Sequence, residues 1–175
     1  YFLRAGEWYL GLGELATVRP DVERFITPLP LSHMNALAFS SMAAILSGGV
    51  IVQLDRFHPR SWWQSVRESG ATVAHYLGVM PAMLLAAPPS EADRMHELRF
   101  GFGAGVDPRH HAAFEARFGL PLLEAWAMTE TGAAACIMAN REPRYVGTRC
   151  FGRADFFLSL IHISEPTRLR RISYA

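Results

Sequence analysis

The residues best placed for chemistry are Thr129 and Glu130, within Glu124-Ala-Trp-Ala-Met-Thr-Glu-Thr-Gly132. The apolar run Leu120–Trp126 before them predicts a short buried strand, which stops at small and hydroxyl residues: Ala127, Thr129, Thr131 and Gly132. A strand ending in a hydroxyl, a carboxylate and a glycine carries polar groups to the carboxyl edge of a sheet, where open α/β sheets bind ligands. Thr129 offers a donor to a phosphate oxygen, Glu130 offers hard oxygen to a magnesium ion, and Trp126 offers a flat face to a base. The same residue types also suit an ordinary strand-to-loop junction.

The elements that must hold this stretch alternate along the chain. Trp8, Leu12 and Leu15 recur at helical spacing and predict an amphipathic helix over 4–17. Arg19-Pro20-Asp21 ends it, and Phe25–Leu29 reads as a short apolar strand. Pro28-Leu-Pro-Leu-Ser-His33-Met-Asn-Ala36 leads to a helix through 36–46, capped by Gly48 and Gly49. A histidine at a helix start reads on its own as a capped, hydrogen-bonded residue. Val50–Leu54 is a β-branched strand. A helix from Phe57 to Ser69, stopped by Gly70, turns Trp62 and Val66 inward, and its Trp62-Trp63 pair reads as packing. A strand over 71–77, a Gly78-Val-Met80-Pro81 turn and a helix over 81–86 follow. Residues 88–94 are a polar turn and 98–103 a strand ending in Gly103-Ala104-Gly105. Asp107 as cap and Pro108 in the first turn start a helix that Gly119 closes after Phe118. Gly101-x-Gly103-x-Gly105 lacks the dinucleotide-binding spacing, and a tight turn without a ligand remains open there. The alternation predicts an α/β fold, a layered, largely parallel sheet with flanking helices.

Composition bounds the function. The 175 residues are 50% hydrophobic with a net charge of +1, enough for one globular unit and no argument for nucleic acid or an anionic membrane. All 17 basic residues are arginine, so no lysine chemistry is available in this chain. The apolar region 36–52 is broken by Ser40, Ser41, Ser47, Gly48 and Gly49 and predicts no membrane span. Two cysteines, Cys136 and Cys150, suit a reducing, cytoplasmic compartment. His110 and His111 diverge on a helix, His96-Glu97 lacks the zincin spacing, and no Gly-x-Ser-x-Gly elbow occurs.

Trp126-Ala-Met-Thr-Glu-Thr-Gly132 resembles the Tyr-Gly-x-Thr-Glu signature of the adenylate-forming superfamily, which includes acyl-CoA synthetases, peptide-synthetase adenylation domains and luciferases. The order of elements from Glu7 to Arg153 also resembles this family, most of all the ligases of the crotonobetaine/carnitine-CoA type. Pro28–Ala36 is similar to the family's Pro-Leu-Phe-His segment, with Ser32 in place of the usual aromatic. The resemblance implies an ATP-dependent acid–thiol ligase that activates a carboxylic acid with Mg-ATP to an acyl-adenylate and passes the acyl group to CoA.

It implies roles as well. Trp126 stacks on adenine within the nucleotide-binding stretch Trp126, Ala127, Met128 and Thr129; Thr129 hydrogen-bonds a phosphate; Glu130 holds magnesium. Gly103, Ala104 and Gly105 let backbone approach adenine and the acyl chain. His33, Tyr76, Gly78 and Met80 border the acyl pocket. Ala127 departs from the family's glycine by one methyl. Val146–Arg153 is similar to the Gly-Ser-x-Gly-Arg segment but is two residues longer between the glycines, so no role is carried to it.

By the same resemblance, residues 1–153 are the central part of the N-terminal AMP-binding region. A phosphate loop with its lysine would precede Tyr1; a ribose-binding aspartate, a hinge and a catalytic lysine would follow Arg153. The chain by itself is therefore expected to be inactive. A non-catalytic nucleotide- or acyl-binding module, or a decayed gene product, is the alternative. Residues 154–175 do not continue the family pattern and read as a non-native tail, the alternative being a divergent basic tail with Arg168, Arg170 and Arg171. The identity of the acid and the oligomeric state are not encoded in these patterns.

Overall fold

The computed structural model describes residues 1–130 and 136–152. Thr131, Gly132 and the tail 154–175 lie outside the described residues, as does Arg153. The sheet has the order β2-β1-β3-β4-β5-β6. Its strands are β1 (Arg24–Thr27), β2 (Val50–Gln53), β3 (Val73–Leu77), β4 (Phe100–Ala104), β5 (Leu122–Trp126) and β6 (Ile137–Met138). β1 to β5 pair in parallel, and β6 lies antiparallel on β5. The largely parallel α/β layer expected from the alternation of elements is the fold observed.

Strand side chains alternate between the two faces. Phe25, Val73, Phe100, Phe102 and Leu123 pack under α1 (Phe2–Leu10) and α2 (Met42–Ser47). Ile26, Ala74, Tyr76 and Leu122 pack under α3 (Trp62–Ser69), α4 (Val79–Leu85) and α5 (Pro108–Phe118). Over β1, β3, β4 and β5 both faces are covered, which is why these strands carry apolar residues at successive positions, whereas the edge strand β2 is largely exposed.

α5 forms as its ends predict. The Asp107 side chain accepts from the Arg109 N–H, Pro108 occupies the first turn, and Gly119 closes the helix in the left-handed conformation. Trp62 and Val66 are the buried face of α3. The Trp63 ring stacks on Phe118 at 4.7 Å and on His96 at 5.1 Å, a packing role.

Four local readings are corrected. The helix expected from Phe57 begins only at Trp62. The first helix ends at Leu10 rather than reaching residue 17; a short 3-10 turn, Glu14–Ala16, follows Gly13, which has φ of 63°. Its buried face is Ala5, Gly6 and Tyr9, and Leu15 is exposed. Gly6 explains the register: a Cβ there would sit 2.7 Å from Leu46 Cδ1 and 2.9 Å from Met42 Cβ, so α1 approaches α2 through its glycine. The segment expected as plain helix over 36–46 begins as a π-helical turn, Asn35–Ser41, before α2. The Ser40 and Ser41 hydroxyls donate to the carbonyls of Asn35 and Ala36, five residues back, at 3.2 and 2.9 Å. The fourth helix starts at Val79 rather than residue 81.

Two buried ionic clusters tie the amino-terminal edge and the lower loops. Glu23, wholly buried, accepts from Arg19 Nε at 2.8 Å, from Thr72 Oγ1 and from Arg99. Burial alone would raise its carboxyl pKa; the donors from Arg19 and Thr72 turn the balance and hold it below the ordinary value. Arg144 reaches both oxygens of Glu115 at 2.7 Å, anchoring the 140–148 loop beneath α5. Burial opposes ionisation of Glu115, but the Arg144 and His111 hydrogen bonds lower its pKa to about 2.

Candidate functional site

β1, β3, β4 and β5 run the same way, so their carboxyl ends share one edge of the sheet. A cleft of about 400 Å³ opens there. Leu29 and Pro30 line it just past β1, Leu77 at the end of β3, Gly103 and Ala104 at the end of β4, and Ala125, Ala127 and Thr129 along and past β5. The far wall is the entry to the π-helical turn: His33, Met34, Asn35 and Phe39, with Phe102 below. Most of the lining is apolar; His33, Asn35 and Thr129 bring polar side chains to it.

The structure thus brings His33, Gly103, Ala104, Ala127 and Thr129 to one place. His33 is exposed at the bend before the helix, where its N–H donates to the Pro30 carbonyl at 3.0 Å and its carbonyl accepts from Leu37 at 3.0 Å. Thr129 and Glu130 are exposed in the turn that follows β5. Glu130 is not among the residues that line the cleft, and the described residues contain no cluster of three or more metal-ligating side chains.

Trp126 does not line the cleft either. Alternation on β5 turns Ala125 to the α1 face and Trp126 to the face of Glu124, where its ring stacks with Phe151 at 6.3 Å. Met128 is exposed beside it. Tyr76, Gly78 and Met80 also sit behind the wall rather than on it. Tyr76 and Met80 are buried among Leu84, Phe114 and Leu122. The Met80 sulfur accepts the Leu77 N–H at 3.4 Å. Tyr76 lies over β4 so closely that a methyl at Gly103 would overlap its carbonyl and lie 2.7 Å from its ring.

Glu124 organises this edge, although an apolar strand gave little sign of it. Its buried carboxylate accepts from Tyr76 Oη, Gly105 N and Val106 N, each at 3.0 Å. The Gly103–Val106 turn is thereby held against β5, with Gly105 left-handed at φ 82°. Burial, then the adjacent Glu124 charge, push the Tyr76 hydroxyl pKa well above its ordinary value, so it stays a donor. Gly78 packs against the same turn: a methyl there would overlap the Gly105 carbonyl. Gly78→Ala is expected to cost about 1–3 kcal/mol by overpacking, read as a lower urea midpoint with an unchanged slope.

Asn35, Phe39 and Phe102 were not singled out from sequence. Phe39 and Phe102 were hidden because core aromatics and cleft aromatics share one spacing pattern. The available signal for Asn35 was a polar residue two positions after a helix-start histidine, facing a strand that itself carries His75.

The profile of the AMP-binding enzyme family matches residues 8–156. The sulfoacetate–CoA ligase of Cupriavidus necator is 35% identical over 113 residues, 65% of this chain and 22% of that enzyme. The crotonobetaine/carnitine–CoA ligase of Shigella sonnei is 34% identical over 112 residues, 63% of this chain and 22% of that enzyme. The inhibitor-bound N-terminal domain of FACL13 from Mycobacterium tuberculosis shares the fold, with a TM-score of 0.70 at 17% identity over 89% of this chain and 38% of that one. The chain therefore spans about a fifth, 22%, of the length of these curated relatives. A profile match over most of its length, an α/β layer of the same kind and curated relatives that are acyl-CoA ligases place the chain in the AMP-binding, adenylate-forming enzyme family.

Proposed function

We propose that residues 1–153 form the central part of the N-terminal region of an ATP-dependent acyl-CoA ligase. The supporting observation is the cleft at the carboxyl edge, where the apolar wall of Leu29, Phe39 and Phe102 meets Thr129. The apolar part takes the chain of a carboxylic acid, and the Thr129 end takes the phosphates of ATP. In this reading His33 borders the acid, and the Thr129 hydroxyl donates to a phosphate oxygen. Trp126 offers its ring to the adenine from the other face of β5. Glu130, an exposed carboxylate next to Thr129, suits a hard divalent cation, and magnesium bound there would neutralise phosphate charge as the acid oxygen displaces pyrophosphate. The acyl group of the resulting adenylate then passes to the sulfur of CoA.

Preorganised donors aimed at developing charge are worth a large share of such a rate enhancement. In the protein encoded by the full reading frame, acid-dependent ATP–pyrophosphate exchange is expected, with Thr129→Val lowering it on the order of 100-fold. Absence of exchange with every acid tried would overturn the ligase reading. The purified 175-residue chain should give exchange no higher than background, since it has no lysine to place on a phosphate or carboxylate. Exchange by that chain alone would show that the reaction needs nothing beyond these residues.

A further inference from the structure

Asn35 differs from the other polar residues of the cleft because one end of its side chain is fixed from inside the core. His75 is wholly buried on β3. Its Nδ1 lies 2.6 Å from Asn35 Oδ1 and 2.5 Å from Ser40 Oγ, and its Nε2 lies 3.2 Å from Tyr9 Oη.

One arrangement of protons satisfies every contact. The Ser40 hydroxyl donates to the Asn35 carbonyl at 3.2 Å, so towards His75 it accepts. Nδ1 therefore carries the hydrogen, shared between Ser40 Oγ and Asn35 Oδ1, and Tyr9 donates to Nε2. Burial lowers the His75 pKa to about 3, so the ring holds a single hydrogen and this tautomer persists.

With its oxygen engaged by His75, the carboxamide of Asn35 turns its NH₂ the other way. That nitrogen bonds to no described residue, and no buried side-chain nitrogen or oxygen among them lacks a partner. The NH₂ is therefore accessible, and Asn35 lines the cleft. The π-helical turn begins at this residue, with the Asn35 and Ala36 carbonyls held by serine hydroxyls. Such widened turns recur at functional sites.

We propose that Asn35 is a specificity-determining residue of the acid-binding cleft: its amide donors select carboxylic acids with a hydrogen-bond acceptor along the chain, a carbonyl, a hydroxyl or a second carboxylate, over plain alkyl acids of equal length. The inference rests on the ligase reading. Its physical basis is a donor set among Leu29, Phe39, Leu77 and Phe102. A plain alkyl chain filling that space would strip water from the NH₂ and give nothing in return.

The test compares kcat/KM for matched acids in the full-length protein, by acid-dependent pyrophosphate exchange: 4-oxopentanoate against pentanoate, and 3-hydroxybutyrate against butyrate. The oxygenated acid is expected to be favoured on the order of ten- to hundredfold in at least one pair. In Asn35→Leu the ratio should fall to within about threefold of unity for either pair, and in Asn35→Asp for the 4-oxopentanoate pair, whose carbonyl can only accept. Asn35→Asp keeps an oxygen for His75 Nδ1 and so covers the case in which Asn35→Leu fails to fold. A ratio near one in the parent protein, or a ratio preserved in the folded variants, overturns the inference while leaving the ligase reading intact. No exchange with any acid overturns the ligase reading itself.

Discussion

Lowering the pH from 7 to 4.5 is expected to destabilise this chain steeply, with His75 as the main cause. Its folded pKa is depressed by burial to about 3 from an ordinary value of 6.5. Between those two values the unfolded chain binds a proton that the folded chain does not, so stability falls as pH falls through that window. One such group gives a slope of up to about 1.4 kcal/mol per pH unit. Across pH 6.5 to 4.5 the expected loss is therefore roughly 2–3 kcal/mol. Half-buried His96, lowered mainly by desolvation, acts in the same direction. Below about pH 4.5 Glu115 joins in, its stabilising pair with Arg144 being lost as pH falls toward about 2. Urea midpoints at pH 7.5, 6 and 5 give the slope. His75→Gln should be less stable at neutral pH, since Tyr9, Ser40 and Asn35 lose a shaped partner, yet much flatter between pH 6.5 and 4.5. A parent chain equally stable at pH 7 and 5 would show that His75 is not held neutral by the core.

Removing the Glu124 carboxylate should have an effect of comparable size at constant pH. Glu124→Ala strips the acceptor from Tyr76 Oη, Gly105 N and Val106 N together. Buried donors left without an acceptor cost about 1–3 kcal/mol each, with some relief where water enters. A total on the order of 3–5 kcal/mol is expected from chemical denaturation. Glu124→Gln keeps the shape but sets an NH₂ against N–H and O–H donors, and should lose about 1–3 kcal/mol. If both variants denature within about 0.5 kcal/mol of the parent, the turn is held by packing, and the carboxylate is incidental.

What could be read from the sequence was mostly local. α5 was legible because Asp107, Pro108 and Gly119 each encode one backbone requirement within a residue or two of where it acts. The parallel sheet was legible from the alternation of apolar runs with capped helices. The unread features depend on partners far along the chain. The π-helical turn follows from Ser40 and Asn35 meeting His75, 35 and 40 residues away. Glu124 looked like one polar residue in an apolar strand because its donors lie 18, 19 and 48 residues earlier. At the site, the composition of 126–130 announced polar chemistry at a strand end. It could not show that Ala127 lines the cleft while Trp126 stacks with Phe151 on the other face of β5.

The two walls of the cleft come from distant parts of the chain, His33–Phe39 and Phe102–Thr129, and meet only through β1, β3, β4 and β5. No contiguous peptide contains the binding surface, so an unfolded chain has no affinity to lose. Occupancy of the cleft is then coupled to the folding of the whole sheet. A ligand at 100 times its dissociation constant would stabilise the native state by about 2.7 kcal/mol. Under the proposed function, the melting temperature of this chain becomes a readout of what the cleft accepts, and a shift with an acid or a nucleotide would rank candidates without any turnover.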